Sequence, residues 1–126
     1  MLHCMLKAKL HQARVTHSVT EQEGSCAIDG NLLDMAGLGE YEQVHIYNLE
    51  SGKRFITYIV RGEEGSNTIS ISGADAHKTR VGDRIIICAY GYLKDKDLEG
   101  FKPRMLYLNA DNTVSHTSNS VPVKTS

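Results

Sequence analysis

The stretch Val44-His45-Ile46-Tyr47-Asn48-Leu49 alternates apolar and polar side chains, pauses at Ser51-Gly52-Lys53, and resumes as Arg54-Phe55-Ile56-Thr57-Tyr58-Ile59-Val60. Period-two alternation on both sides of a glycine-containing turn is the signature of a β-hairpin with one face buried. Outward from it, Thr68-Ile69-Ser70-Ile71-Ser72 and Arg84 to Tyr90 read as two more strands, the second introduced by Val81-Gly82-Asp83. Pro103 to Leu108 is a further strand, entered from a charged loop at Lys94 to Gly100. Helix signals are few. Asn31 is placed to cap Leu32 to Ala36 with Gly37 as the stop, and Ala74 to Thr79 has room for a turn or two. Many short strands with little helix predict a mainly β chain, a small barrel with a few short helices. The stretch from Asn109 reads as a polar tail, above all from about residue 115, poorly ordered at its end.

Size and charge narrow the function. The 126 residues suit one domain over 1–126, and 40% hydrophobic with 23% charged residues is a globular balance. A formal charge of −1 lacks the cationic excess of a nucleic-acid binder. Cys4, Cys26 and Cys88 are scattered and form no C-x-x-C pair, so neither a disulfide framework nor a zinc ribbon is expected. The histidines show no metal-ligand spacing, so no metal is expected. Apolar runs are too short for a membrane span, and the N-terminus has no apolar signal region. The expectation is a cytoplasmic protein with no membrane partner.

Three groups of residues carry chemistry. Lys7 and Lys9 share one face if the N-terminus is a strand, which reads either as a solvated face or, through Lys9, as a wall for an anionic substrate. Arg54 offers a fork for a carboxylate, and Tyr58, on the same strand face, a phenol that gives or takes a proton. Glu23-Gly24-Ser25 places a hydroxyl directly after a glycine, where it can attack the preceding carbonyl if the backbone is strained. Glu64-Gly65-Ser66 repeats that tripeptide, and local chemistry does not choose between the two.

Glu23-Gly24-Ser25-Cys26-Ala27-Ile28-Asp29 resembles the pyruvoyl-dependent aspartate decarboxylases. The likeness also runs through Met1-Leu2, Met5-Leu6-Lys7-x-Lys9-Leu10-His11, Val15-Thr16-His17, Tyr41-Glu42 and Ile46-Tyr47-Asn48. It continues in Gly52-x-Arg54-Phe55-x-Thr57-Tyr58, Gly73-Ala74-x-Ala76-His77 and Val81-Gly82-Asp83, spanning roughly residues 1 to 90. The resemblance selects Ser25 over Ser66. It implies a double-psi β-barrel and a homotetramer of cleaved α and β chains with active sites between neighbouring subunits.

The chemistry it implies has two stages. Self-cleavage between Gly24 and Ser25, with Thr57 polarising the Gly24 carbonyl, leaves a pyruvoyl group made from Ser25. That group, in place of pyridoxal phosphate, forms a Schiff base with L-aspartate. Tyr58 then protonates the carbon that loses CO2, giving β-alanine for pantothenate and coenzyme A biosynthesis. Lys9 and Arg54 would hold carboxylates, and Thr57, Gly73, Ala74 and Asp75 match the substrate-contact positions. Three positions depart from the family pattern or fit it awkwardly: Gln22 where many relatives have tyrosine, Ser72 where asparagine is usual, and Asp75, an anion beside a dicarboxylate. The first two leave a place for a maturation factor. The alternative function is a non-catalytic β-barrel module such as a DNA-binding regulator, built on the Lys7, Lys9, Arg14 cluster.

Overall fold

A computed structural model describes residues 1–123. Nine strands dominate: β1 (Leu2–Arg14), β2 (His17–Val19), β3 (Ser25–Asp29), β4 (Gln43–Asn48), β5 (Arg54–Gly62), β6 (Ile69–Ser72), β7 (Arg84–Lys94), β8 (Arg104–Leu108) and β9 (Val114–Ser118). One helix, α1 (Gly30–Ala36), follows β3, and 3-10 turns cover Ala74–Lys78 and Asp95–Asp97. The strands hydrogen-bond in the order β2-β6-β3-β5-β4-β7-β1-β8-β9.

That order forces the sheet to curl. β1 ends at Arg14 and β2 begins at His17, so the connection between them spans at most about 11 Å. Yet β2 and β1 stand six positions apart in the strand order, about 29 Å across a flat sheet. Only a sheet wrapped on itself satisfies both, and it encloses a core of aliphatic side chains. Leu10, Ile28, Ile46, Ile59, Ile69, Ile71, Ile85 and Ile87 are all buried in it. Each contributes on the order of 2 kcal/mol by leaving water.

The hairpin forms where the alternation places it. Val44 pairs with Thr57 and Tyr47 with Arg54. Its turn is organised by Asn48, whose side-chain oxygen accepts from the Glu50 backbone at 2.9 Å. The Asn48 amide also donates to Lys78 O at 3.0 Å and to Asp83 Oδ2 at 2.8 Å. Gly52 takes φ +74°, a conformation that favours glycine.

Two expectations need correction. The helix is capped by Asp29, not Asn31: its carboxylate accepts from the Asn31 backbone at 2.8 Å. The same carboxylate accepts from Gly65 N at 3.0 Å and Asn67 N at 2.8 Å, so three N–H groups pin it at the end of β3. Gly37 ends the helix with φ +71°, as read from the sequence. The second correction concerns the C-terminal stretch, where β9 pairs antiparallel with β8. It is an edge strand with most of its side chains exposed, so it carries no alternation for a sequence reading to find.

β1 also carries information that alternation alone misses. Its register against β7 slips between Leu6 and Ala8 and again between Leu10 and Ala13, where Gln12 has φ +59°. Such bulges re-aim the side chains that follow. Between them Ala8 and Leu10 point into the core, leaving Lys7, Lys9 and His11 on the other face.

Candidate active site

β3 lies between β6 and β5, and this places the Gly24–Ser25 peptide among most of the candidate residues. Ser25 pairs with Ser72 across the antiparallel β3/β6 ladder. On the other side Cys26 pairs with Ile59 in parallel, so Ser25 sits one step before that pair on β3 and Tyr58 one step before it on β5. Thr57 precedes Tyr58 directly, on the opposite face of the strand and only partly buried.

The closest packing is between two glycines. Gly73 has φ +85° and ψ −157°, a region open essentially to glycine alone. A Cβ on Gly73 would lie 2.6 Å from Gly24 Cα and 2.8 Å from Gly24 N. The Gly73 N–H donates to Val19 O at 2.9 Å, tying the segment after β6 to the strand that leads toward Gly24. Gln22 and Ser72 both border this contact. Gln22 O would lie 3.3 Å from a Gly73 Cβ, and Ser72 is buried as the register partner of Ser25.

Asp75 resolves differently from its appearance in the sequence. Its carboxylate turns toward Lys78, with Oδ1 3.6 Å from Nζ inside the same 3-10 turn. Its charge is therefore shared with a cation of its own segment. The turn is held against β2 by Ser18, whose hydroxyl donates to Ala76 O at 3.0 Å.

Tyr58 is 38% exposed and lines a recess of about 530 Å³ with Tyr41, Gln43, Ile56 and Thr57. The rings of Tyr41 and Tyr58 lie 6.5 Å apart. The sequence gives neither Tyr41 nor Gln43 a role in the site; counting across the hairpin pairs Gln43 with Tyr58 and would have found the latter.

Lys9 and Arg54 stand apart from this cluster. Arg54 lies four residues before Tyr58, about 13 Å along the strand. Lys9 pairs with Cys88 on β7, and β1 stands three strands from β5. Each cation is seated on an aromatic ring: Lys9 Nζ is 5.6 Å from the Tyr107 centroid and Arg54 Cζ 5.1 Å from that of Tyr47. Neither makes an ion pair among the described residues. Lys7 does, with Glu42. Burial alone would raise the Glu42 carboxyl, but hydrogen bonds from Lys7 and the Gly39 backbone outweigh it and hold the pKa low. Lys7 is thus neutralised, which removes one cation from the N-terminal patch.

The second Gly-Ser candidate is structural. Ser66 Oγ donates to Glu63 O at 2.6 Å, and Gly65 N donates to Asp29, so this serine closes its own turn. Cys26 is also removed from reactivity, since burial pushes its thiol up to about 12. No group of three or more His, Cys, Asp or Glu side chains able to hold a metal occurs among the described residues. No helix there is long and apolar enough to cross a membrane.

A curled, mixed β-sheet that presses a Gly-Ser peptide against a positive-φ glycine, with a threonine and a tyrosine on the adjacent strand, defines a small β-barrel with one unusually crowded backbone contact beside a phenol. The comparisons with known proteins make this specific. A family model described as aspartate decarboxylase matches residues 1–115, and the chain belongs to that family. Among its relatives, the aspartate 1-decarboxylase of Stutzerimonas stutzeri is 61% identical over 95% of both sequences. That of Pseudomonas fluorescens is 59% identical over the same share. That of Chromohalobacter salexigens is 56% identical over 98% of both. With membership covering nearly the whole sequence, the DNA-binding alternative has no observation left in its favour.

Proposed function

We propose that this protein is a self-processing decarboxylase that converts L-aspartate to β-alanine and CO2, acting in the cytoplasm and supplying β-alanine for pantothenate synthesis. The observation that carries the reading is the packing of Gly24 on Gly73 beside Thr57 and Tyr58. Ser25 Oγ attacks the Gly24 carbonyl carbon, and the nitrogen departs as the amine, giving an ester. Thr57 supports the oxygen on which negative charge develops. Loss of the Ser25 α-proton then breaks the Cβ–Oγ bond of that residue, releasing Gly24 as a carboxylate and leaving dehydroalanine. Water and loss of ammonia convert this to the pyruvoyl ketone at residue 25.

The cradle fits that group. Gly73 admits no Cβ, which leaves the backbone of residues 24 and 25 to be held by Ser72 at the end of β6, by Gly73 just after it, and by Thr57 and Tyr58 from β5. When present, the ketone supplies the electron sink that decarboxylation needs. Tyr58 Oη holds the proton delivered to the carbon that loses CO2, and its exposure to the recess leaves it open to a small molecule.

Lys9 and Arg54 bind the substrate carboxylates, and a neutral side chain would leave a desolvated cation without a partner. Both lie on the outer wall away from Ser25 of their own protomer, so a homotetramer with sites between neighbours brings the cations of one protomer to the Ser25 of the next. Gln22 and Ser72 border the scissile peptide and set its cleavage rate, and a maturation factor would act on that loop. The test is conversion of aspartate by wild-type protein and by Ser25→Ala. β-Alanine from the first and none from the second is expected; equal conversion by both would overturn the reading.

A further inference from the structure

The wall that carries Lys9 and Arg54 contains a polar connection that neither self-cleavage nor proton transfer uses. Tyr47 and Arg54 are direct partners across the β4/β5 ladder, and the Arg54 guanidinium lies over the Tyr47 ring. The far end of that ring is tethered, because the Tyr47 and Tyr90 hydroxyls are 3.2 Å apart. Tyr90 belongs to β7. His45, two residues before Tyr47 on β4, pairs in register with Cys88, and its ring meets Tyr90 edge-on at 5.0 Å. Tyr90 is therefore gripped at its ring by His45 and at its hydroxyl by Tyr47. The bond to Tyr47, and then burial, raise the pKa of Tyr90 above the ordinary phenol range.

A guanidinium on an aromatic face is only as well placed as the ring beneath it. An arginine has several rotatable bonds, and holding it in one arrangement for a carboxylate costs entropy on every binding event unless the protein has already restricted it. Tyr47 alone could turn about its own side-chain bonds. Joined to Tyr90 on the neighbouring strand, it becomes a fixed platform spanning β5, β4 and β7. We infer that Tyr90 is a positioning residue for substrate binding: through its hydroxyl it fixes Tyr47, and through Tyr47 it holds Arg54 ready for a carboxylate of the substrate. The inference rests on the reading of Arg54 as a carboxylate anchor.

Steady-state kinetics on the self-cleaved enzyme test it. Tyr90→Phe keeps the ring and removes only the hydroxyl; KM for aspartate should rise about three- to tenfold, the range one hydrogen bond supports, with kcat within about twofold and cleavage at Gly24–Ser25 unchanged. Tyr47→Phe removes the same bond from the other side and should give the same split. In an Arg54→Ala background, Tyr90→Phe should change KM by less than about twofold, since nothing is left to position. Tyr92→Phe, an exposed neighbour on the same strand, controls for nonspecific effects and should behave as wild type. An unchanged KM in Tyr90→Phe, an effect in Tyr90→Phe but not in Tyr47→Phe, or an undiminished effect in the Arg54→Ala background would each overturn the inference. If Arg54→Ala itself leaves KM unchanged, the anchor reading fails; if Arg54→Ala raises KM and Tyr90→Phe does not, only the role of Tyr90 fails.

Discussion

Replacing Gly73 by alanine puts one methyl group into the tightest contact of the site. The added Cβ would meet Gly24 Cα at 2.6 Å, whereas ordinary van der Waals contact begins at 3.4 Å, so the two segments must part by about 0.8 Å. Neither atom belongs to a flexible side chain, so the displacement falls on the backbone of the scissile peptide itself. The φ of +85° adds strain of roughly 1–3 kcal/mol for any residue other than glycine. Stability should therefore fall by a few degrees of melting temperature per kcal/mol lost. Cleavage should suffer far more, because a shift approaching 1 Å in reacting groups can cost on the order of 100-fold in rate. Two companion variants separate strain from contact. Gly52→Ala carries similar strain at φ +74° but meets nothing within 4 Å, so it should lower stability and leave cleavage alone. Gly24→Ala meets only Ser72 O at 3.8 Å and should fold normally. The assay is the cleaved fraction against time after purification, with a thermal melt on each sample. Cleavage of Gly73→Ala at the wild-type rate would refute the argument that this contact shapes the scissile peptide.

Other substitutions separate the remaining roles. Tyr58→Phe should cleave normally yet lose roughly 100-fold or more in decarboxylation if its hydroxyl delivers the proton, as read by β-alanine formation. Arg54→Ala should raise KM for aspartate at least about tenfold, since it removes a charge-assisted pair with a carboxylate. Asp29→Asn should destabilise by about 1–3 kcal/mol at neutral pH, as an amide cannot accept at both oxygens from three N–H donors. Burial alone would raise the Asp29 carboxyl, but those hydrogen bonds and the Arg61 charge hold its folded pKa below the ordinary value. Its contribution is thus present above the unfolded pKa and lost as pH falls through the folded one. Melting curves should show the gap between wild type and Asp29→Asn narrowing as the solution is acidified below about pH 4.

The sheet was legible where one face is buried and one is wet. The hairpin of β4 and β5 and most of β6 show the alternation that such burial imposes, whereas β7 announces itself by the continuous apolar run Ile85 to Ala89. β1 escaped a clean reading because two bulges break its period, and β9 because an edge strand needs no apolar face. The cap was misplaced by two residues, since the three donors that fix Asp29 include two from a loop more than thirty residues away. In the candidate site, the ladders of β3 with β5 and β6 set Gly24 and Ser25 beside Ser72 and Gly73 and next to the strand that carries Thr57 and Tyr58, a juxtaposition no local pattern shows. Choosing Ser25 over Ser66 from the residues alone required tertiary information, because what distinguishes them is the presence of Gly73 behind one and a closed turn around the other. The Tyr47–Tyr90 tether was out of reach for the same reason: no local pattern joins residues on two strands through their hydroxyls.

The central claim is that this backbone cuts itself. An intact mass spectrum of the purified protein under denaturing conditions addresses it directly. The account predicts two species, residues 1–24 ending in a free carboxylate and residues 25–126 beginning with a pyruvoyl group, with Ser25→Ala remaining in one piece. A wild-type protein that stays uncut after prolonged warming, yet converts aspartate to β-alanine, would contradict it.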